Sequence, residues 1–161
     1  HYLLEWLPQV DMEYREVQGK KDLATPNHHL HEDEQQEYLR SALKVLSNKS
    51  FENVFNKEAI TEVPISGNIV EDGKTYKVSG RIDRLLISKH EITIVDLKTN
   101  KVVPEKMSQV PVAYKNQLAI YYRLVKQIYP DRQINCTLLW VEKPIMMPLS
   151  SLEMGSIKIF N

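Results

Sequence analysis

Gly80-Arg81-Ile82-Asp83-Arg84-Leu85-Leu86-Ile87, Ser88-Lys89-His90 and Glu91-Ile92-Thr93-Ile94-Val95-Asp96-Leu97-Lys98 form one continuous stretch, and its reading decides the fold. Alternate residues of a strand share a face. Asp83, Leu85 and Ile87 therefore share one face of a first strand. Ile92, Ile94, Asp96 and Lys98 share one face of a second. A two-residue turn at Lys89-His90 sets Ser88 opposite Glu91. Ile87 then meets Ile92, Leu85 meets Ile94, and Asp83 meets Asp96. A slip of one residue would set Asp83 against Val95 and destroy the match. The hydrophobic pattern thus selects the register that brings two acids together. The other face, with Ile82, Val95 and Leu97, is mostly apolar, so these strands are expected to be covered on both sides.

Two carboxylates directly opposite each other repel. A cation between them removes the conflict. Few, hard oxygen ligands suit Mg²⁺ or Mn²⁺ better than zinc. Lys98 follows Asp96 on the same face and sets an ammonium beside the acids. The plainer alternative pairs the two acids with Arg81, Arg84 or Lys98 as ordinary strand-end residues. The matched register together with the lysine favours a site.

Outward from the hairpin, Glu71-Asp72-Gly73-Lys74 is a turn signal. Glu58 to Ile65 reads as a strand, and Pro64 places it at an edge. Asn100 to Val110 reads as a loop. Tyr114, Leu118, Tyr121, Val125 and Ile128 mark a helix from Val112 to Tyr129, stopped by Pro130. Ile134 to Val141 is a strand, and the tail from Ser150 is a short helix. Towards the start, His1 to about Glu16 has helical character, broken at Pro8. Gly19 to His31 reads as a polar loop. Leu39, Leu43 and Leu46 define a helix from Glu32 to about Leu46. Strands interleaved with helices give an α/β domain. His28-His29-Leu30-His31 has no cysteine nearby and reads as a solvated loop rather than a zinc site.

At 161 residues, with 42% hydrophobic and 26% charged, the chain is long enough and apolar enough for a core without staples. Lys plus Arg, at 21, equal Asp plus Glu, at 21. That balance argues against a strong stand-alone nucleic-acid binder, which is usually basic. It is compatible with an enzyme whose acidic site is neutralised by metal. The single cysteine, Cys136, excludes an internal disulfide and a cysteine cage. Its apolar neighbours predict a buried, inert thiol, and a reducing cytoplasm fits. No apolar run approaches the ~20 residues of a membrane span, and no membrane association is expected. The start at His1-Tyr2-Leu3-Leu4-Glu5, in mid-pattern, reads as a piece of a longer chain.

Gly80-Arg81-Ile82-Asp83, Asp96-Leu97-Lys98-Thr99-Asn100 and Gln117-Leu118-Ala119-Ile120-Tyr121 together resemble the three central motifs of RecB-type nucleases of the PD-(D/E)XK superfamily. Leu138-Leu139-Trp140 and His1-Tyr2-Leu3-Leu4-Glu5 are similar to the AddA branch of that family, the C-terminal nuclease domain of bacterial AddAB helicase–nucleases. The likeness covers nearly the whole chain and is weakest from Val10 to about Glu58. It implies a restriction-endonuclease-like core, a central mixed sheet flanked by helices, within a single nuclease domain spanning residues 1–161. It also implies roles. Asp83 and Asp96 would bind metal, with the main-chain carbonyl of Leu97 and the upstream His1 as further ligands. Lys98 would be the catalytic lysine. Gln117 and Tyr121 would face the site from the helix, and Glu62 would match a less certain acidic motif. A tyrosine stripe alone is commonly core, but a glutamine within it needs hydrogen-bond partners.

The implied activity is Mg²⁺-dependent hydrolysis of DNA of the exonuclease type, leaving 5′-phosphates, in the recombinational repair of double-strand breaks. The expected partners are single strands of unwound DNA, a helicase portion of the same parent chain, and an AddB-like subunit. The bacterial cytoplasm is the expected compartment. A phosphate-binding GxxxxGK[ST] does not occur in the 161 residues, so the motor would lie elsewhere. The rival reading is a catalytically silent nuclease-like module that binds DNA or a partner as a scaffold. Retention of Asp83, Asp96 and Lys98 weighs against it.

Overall fold

A computed structural model describes residues 2–160, which form two compact units that divide between Glu58 and Ala59. The first unit is helical: α1 (Tyr2–Trp6), α2 (Arg15–Leu23) and α3 (Glu32–Leu46), joined by short 3-10 turns. Its buried residues include Leu3, Leu4, Leu7, Leu23, Leu39 and Val45. The expected loop from Gly19 is a correction: α2 continues through it to Leu23. Gly19 serves close packing here rather than a turn, because a Cβ at that position would lie 2.5 Å from Leu39 Cδ1. The predicted helix at Glu32–Leu46 is present, and Glu34 Oε2 accepts the His31 N–H at its start, 2.9 Å away.

The second unit is a five-stranded mixed sheet with helices packed on it. The strands run β1 (Ile60–Glu71), β2 (Lys74–Ile87), β3 (Glu91–Lys98), β4 (Gln133–Trp140) and β5 (Ile145–Leu149), and their spatial order is the chain order. Only β3 and β4 are parallel, joined through α4 (Val112–Ile128). α4 begins after Pro111 and ends before Tyr129-Pro130, where the residue preceding a proline leaves the helical region. Its buried Leu118, Tyr121 and Val125 meet Ile92, Ile94, Ile134 and Leu138 of the sheet, and Met154 of α5 (Ser151–Ser156) joins the same core. The predicted strand with Pro64 is β1, at the sheet edge. β5 was not foreseen. Cys136 is buried, which pushes its thiol up to about 12.

The β1–β2 turn has Asp72 and Gly73 both at positive φ, the geometry that matches strand twist in a tight hairpin. Glu71, beside it, clamps the end of the chain. Its carboxylate accepts the backbone N–H groups of Phe160 at 2.7 Å and Ile159 at 3.1 Å, and the Arg123 guanidinium at 2.8 Å. Phe160 stacks on Tyr76 with ring centroids 3.9 Å apart. The Phe160 N–H first, then Arg123, hold the Glu71 carboxyl at about 2 rather than 4.5. A depressed acid stabilises the fold above its unfolded pKa and loses that contribution as pH falls through the folded one. Glu71→Gln is therefore expected to lower the melting temperature at neutral pH and to flatten the acid limb of stability between about 4.5 and about 2. Melts of both proteins across that range check this, and superimposable curves would contradict it.

Candidate active site

The β2–β3 hairpin folds in the register that the apolar pattern selects, with Ile87 opposite Ile92 and Leu85 opposite Ile94. Ser88 closes the turn, donating its N–H to the Glu91 carbonyl at 2.9 Å. Pairing stops at Arg84–Val95, one step before the two acids. On the opposite side of β2, the ladder to β1 pairs Thr61 with Arg84 and Val63 with Ile82 but skips Glu62 and Asp83. Both ladders therefore open at Asp83. Glu62 has φ +53°, a left-handed conformation that is strained for a glutamate. In place of ladder bonding, Asp83 Oδ2 accepts the Leu97 N–H at 2.6 Å. A strand residue's N–H and C=O point to the same edge, so the Leu97 carbonyl also lies on the Asp83 side.

Asp96 is 2% exposed, and its Oδ2 lies 2.5 Å from Lys98 Nζ. The contact lacks hydrogen-bond directionality, and this oxygen has no aligned donor among the described residues. Lys98 Nζ also donates to Gln117 Oε1 at 3.0 Å and sits 3.9 Å over the Tyr114 ring. Gln117 Nε2 donates to Tyr121 Oη at 3.1 Å. Tyr121 in turn donates to the Arg81 carbonyl at 2.9 Å and accepts the Arg81 N–H at 3.3 Å. The helix stripe is thus a relay from β2 to the lysine. Gln117 spends both ends of its amide on it, which is why a glutamine stands among core residues.

Gly80 explains itself in the same contact. A Cβ there would lie 2.5 Å from Tyr121 Cε1 and 2.8 Å from its Oη. The ring is buried and tethered at its hydroxyl, so it has little room to retreat. Gly80→Ala is expected to cost about 1–3 kcal/mol, the scale of overpacking, and to slow any reaction that depends on Lys98. A melting curve and a rate measurement check this together. An unchanged melting temperature would show that Tyr121 moves freely.

Burial, then Asp96, raise the Asp83 carboxyl to about 7, against the lowering effect of the Leu97 N–H. Glu62 adds a smaller push in the same direction. Burial also raises Asp96, while Lys98 opposes it. The two carboxylates resist being ionised together without added positive charge. Among the described residues, no three His, Cys, Asp or Glu side chains converge as a metal cage. Two carboxylates and a carbonyl nevertheless suit an ion such as Mg²⁺, which keeps several waters and shares the rest of its shell with substrate phosphates. The Asp96 oxygen without an aligned donor fits the same ion. His1 lies outside the described residues. Glu62 Oε2 is 3.4 Å from Arg81 Nη1.

Of the cations considered for plain ion pairs, Arg81 goes to Glu62 and Lys98 to Asp96. Arg84 is 1% exposed, and burial draws its guanidinium down to about 10. Of the histidine cluster, His28 pairs with an acid, its Nε2 3.1 Å from Asp22 Oδ2. The sequence reading missed Tyr114 and Asn100 as neighbours of the lysine. Tyr114 Oη donates to Asn100 Oδ1 at 2.8 Å. The signal was available, since Tyr114 precedes Gln117 by three positions and shares its helix face.

A model of the PD-(D/E)XK nuclease superfamily matches residues 1–149. No curated protein matches significantly. A solved structure described as "Crystal structure of SSO0001" aligns with 92% of this chain and 65% of its own, at 18% identity and a TM-score of 0.41. The chain therefore spans 65% of the length of that relative. Members of the matched superfamily are typically metal-dependent nucleases. With a mixed sheet flanked by helices and a family match over nearly its whole length, the chain belongs to the PD-(D/E)XK nuclease superfamily.

Proposed function

We propose that the protein is a RecB-type, AddA-like nuclease domain that hydrolyses DNA with Mg²⁺, Mn²⁺ being a substitute. The observation that carries this reading is the pair of acids, half-buried Asp83 and buried Asp96, beside Lys98 at the open end of a hairpin. Asp83, Asp96 and the Leu97 carbonyl would hold the ion, with His1 completing the set and Glu62 in support. When bound, the ion supplies Lewis acidity and an activated water.

The chain's own residues do the rest. Lys98 makes the contacts of an ammonium: a carboxylate, an amide oxygen and an aromatic face. It is thereby aimed to stabilise negative charge building on the phosphate. Gln117 and Tyr121 hold it in that position. Water oxygen bonds to phosphorus as the bond to the 3′-oxygen breaks. That oxygen takes a proton, and a 5′-phosphate remains.

Both compact units belong to one nuclease domain in this reading. The wider assignment follows from the motif set: exonuclease-type action on strands freed by a helicase portion of the parent chain, with an AddB-like subunit, in recombinational break repair in the bacterial cytoplasm. No helix among the described residues is long and apolar enough to cross a membrane.

The test is Mg²⁺ titration by calorimetry on the protein and on Asp96→Ala. Binding in the first and none in the second is expected. Equal binding by both would remove Asp96 from the metal site. Absence of binding in both would leave a silent, scaffolding module as the better reading.

A further inference from the structure

A cavity of about 750 Å³ opens between the 99–111 loop, the start of α4 and the end of β4. Asn100, Val102, Gln109, Tyr114 and Trp140 are among its lining residues. Trp140 stands next to Lys98 across the parallel β3–β4 ladder, on the same face. Its indole N–H is buried and has no partner among the described residues. Such a donor is costly to leave unmet. Tyr114 joins the cavity to the lysine, touching Lys98 Nζ with its ring and Asn100 with its hydroxyl. Val102, at the rim, is 86% exposed, an apolar group held in water at the mouth of a site.

We propose that this cavity seats one unstacked nucleobase of the strand being cut, immediately beside the scissile phosphate. The inference rests on the nuclease reading of Asp83, Asp96 and Lys98. The lining suits a base better than a phosphate or a sugar. It combines aromatic and aliphatic surface with two side-chain amides, the groups that stack on a base and bond its edge, and its two charged residues, Lys101 and Glu105, are of opposite sign and offset each other. The volume lies within the ordinary range for small-ligand sites. A paired base is held in its stack, so occupancy selects single strands over duplex. Asn100 Oδ1 already accepts from Tyr114 and Gln109 Oε1 from the Glu105 N–H, which leaves the amide N–H groups to donate to ring and carbonyl acceptors that every base carries, so the subsite accepts more than one base and favours none strongly.

The experiment is a walk of one abasic position along a short single-stranded oligonucleotide. Affinity is read by fluorescence anisotropy with Ca²⁺ in place of Mg²⁺, and the cut position is read separately with Mg²⁺. One abasic position, at a constant distance from the cut bond, is expected to weaken binding about tenfold, the scale of one lost base contact. Asn100→Ala with Gln109→Ala is expected to weaken the intact strand and leave the abasic strand unchanged. Equal affinity at every abasic position overturns the subsite, as does an equal loss on both strands in the variants. A flat walk in a protein that still cuts removes the subsite and leaves the nuclease reading standing. A peaked walk without cutting does the reverse. Absence of strand binding overturns both.

Discussion

Lys98→Ala is expected to slow DNA cutting by about 10²–10³-fold, the scale seen when one preorganised charge-stabilising donor is removed. The lysine touches Asp96, Gln117 and the Tyr114 ring. None of these can replace an ammonium facing a phosphate. The same variant leaves Asp96 buried without its cation, a situation that costs up to about 3–5 kcal/mol when the carboxylate stays charged. Uptake of a proton by Asp96 reduces that cost, because burial already raises its pKa. The metal-free variant is therefore expected to melt lower than the parent at neutral pH. Mg²⁺ should recover part of the difference. Cutting within twofold of the parent would remove Lys98 from the chemistry. A melting temperature indifferent to Mg²⁺ would remove the ion from the neighbourhood of Asp96.

Asp83→Asn carries the opposite sign on stability. Its carboxyl sits at about 7 in the fold against an ordinary 3.8. A folded pKa above the unfolded one means that the native state binds protons more tightly. Metal-free stability should therefore decline as pH rises from about 4 to about 7 and level off above that. Asparagine keeps an oxygen for the Leu97 N–H and carries no charge to repel Asp96. Above neutrality, in chelator, the variant is expected to be more stable than the parent by about 1–3 kcal/mol, since each pKa unit corresponds to about 1.4 kcal/mol. With Mg²⁺ the order should invert, because only the parent gains from the ion. Cutting should be lost. Metal-free melts with the same pH slope for both proteins would show that Asp83 is not under electrostatic stress.

The hairpin was legible because apolar residues on one face of each strand admit one register, and Ile87–Ile92 and Leu85–Ile94 pair accordingly. The α4 stripe was legible for the same reason, at helical spacing. The opening of both ladders at Asp83 was not. Pattern matching extends pairing to the last matched residue, whereas the Asp83 carboxylate takes the Leu97 N–H and ends it. The left-handed Glu62 is equally silent in sequence, because a glutamate shows no preference for that conformation. β5 escaped notice because it is short and contains Pro148, which an edge strand tolerates. Gly80 was visible as part of a motif. Its reason, the Tyr121 ring against its Cα, required the packing of α4 on β2.

The most direct test of the central claim is the rate of cutting of an end-labelled single-stranded oligonucleotide by the protein and by Asp96→Asn, each with Mg²⁺ and with chelator. Cutting by the parent in Mg²⁺ alone, and by neither protein in the other three conditions, is the predicted result. Cutting that survives in chelator, or in Asp96→Asn at the parent rate, would contradict the assignment of the Asp83–Asp96 pair as the metal-dependent centre.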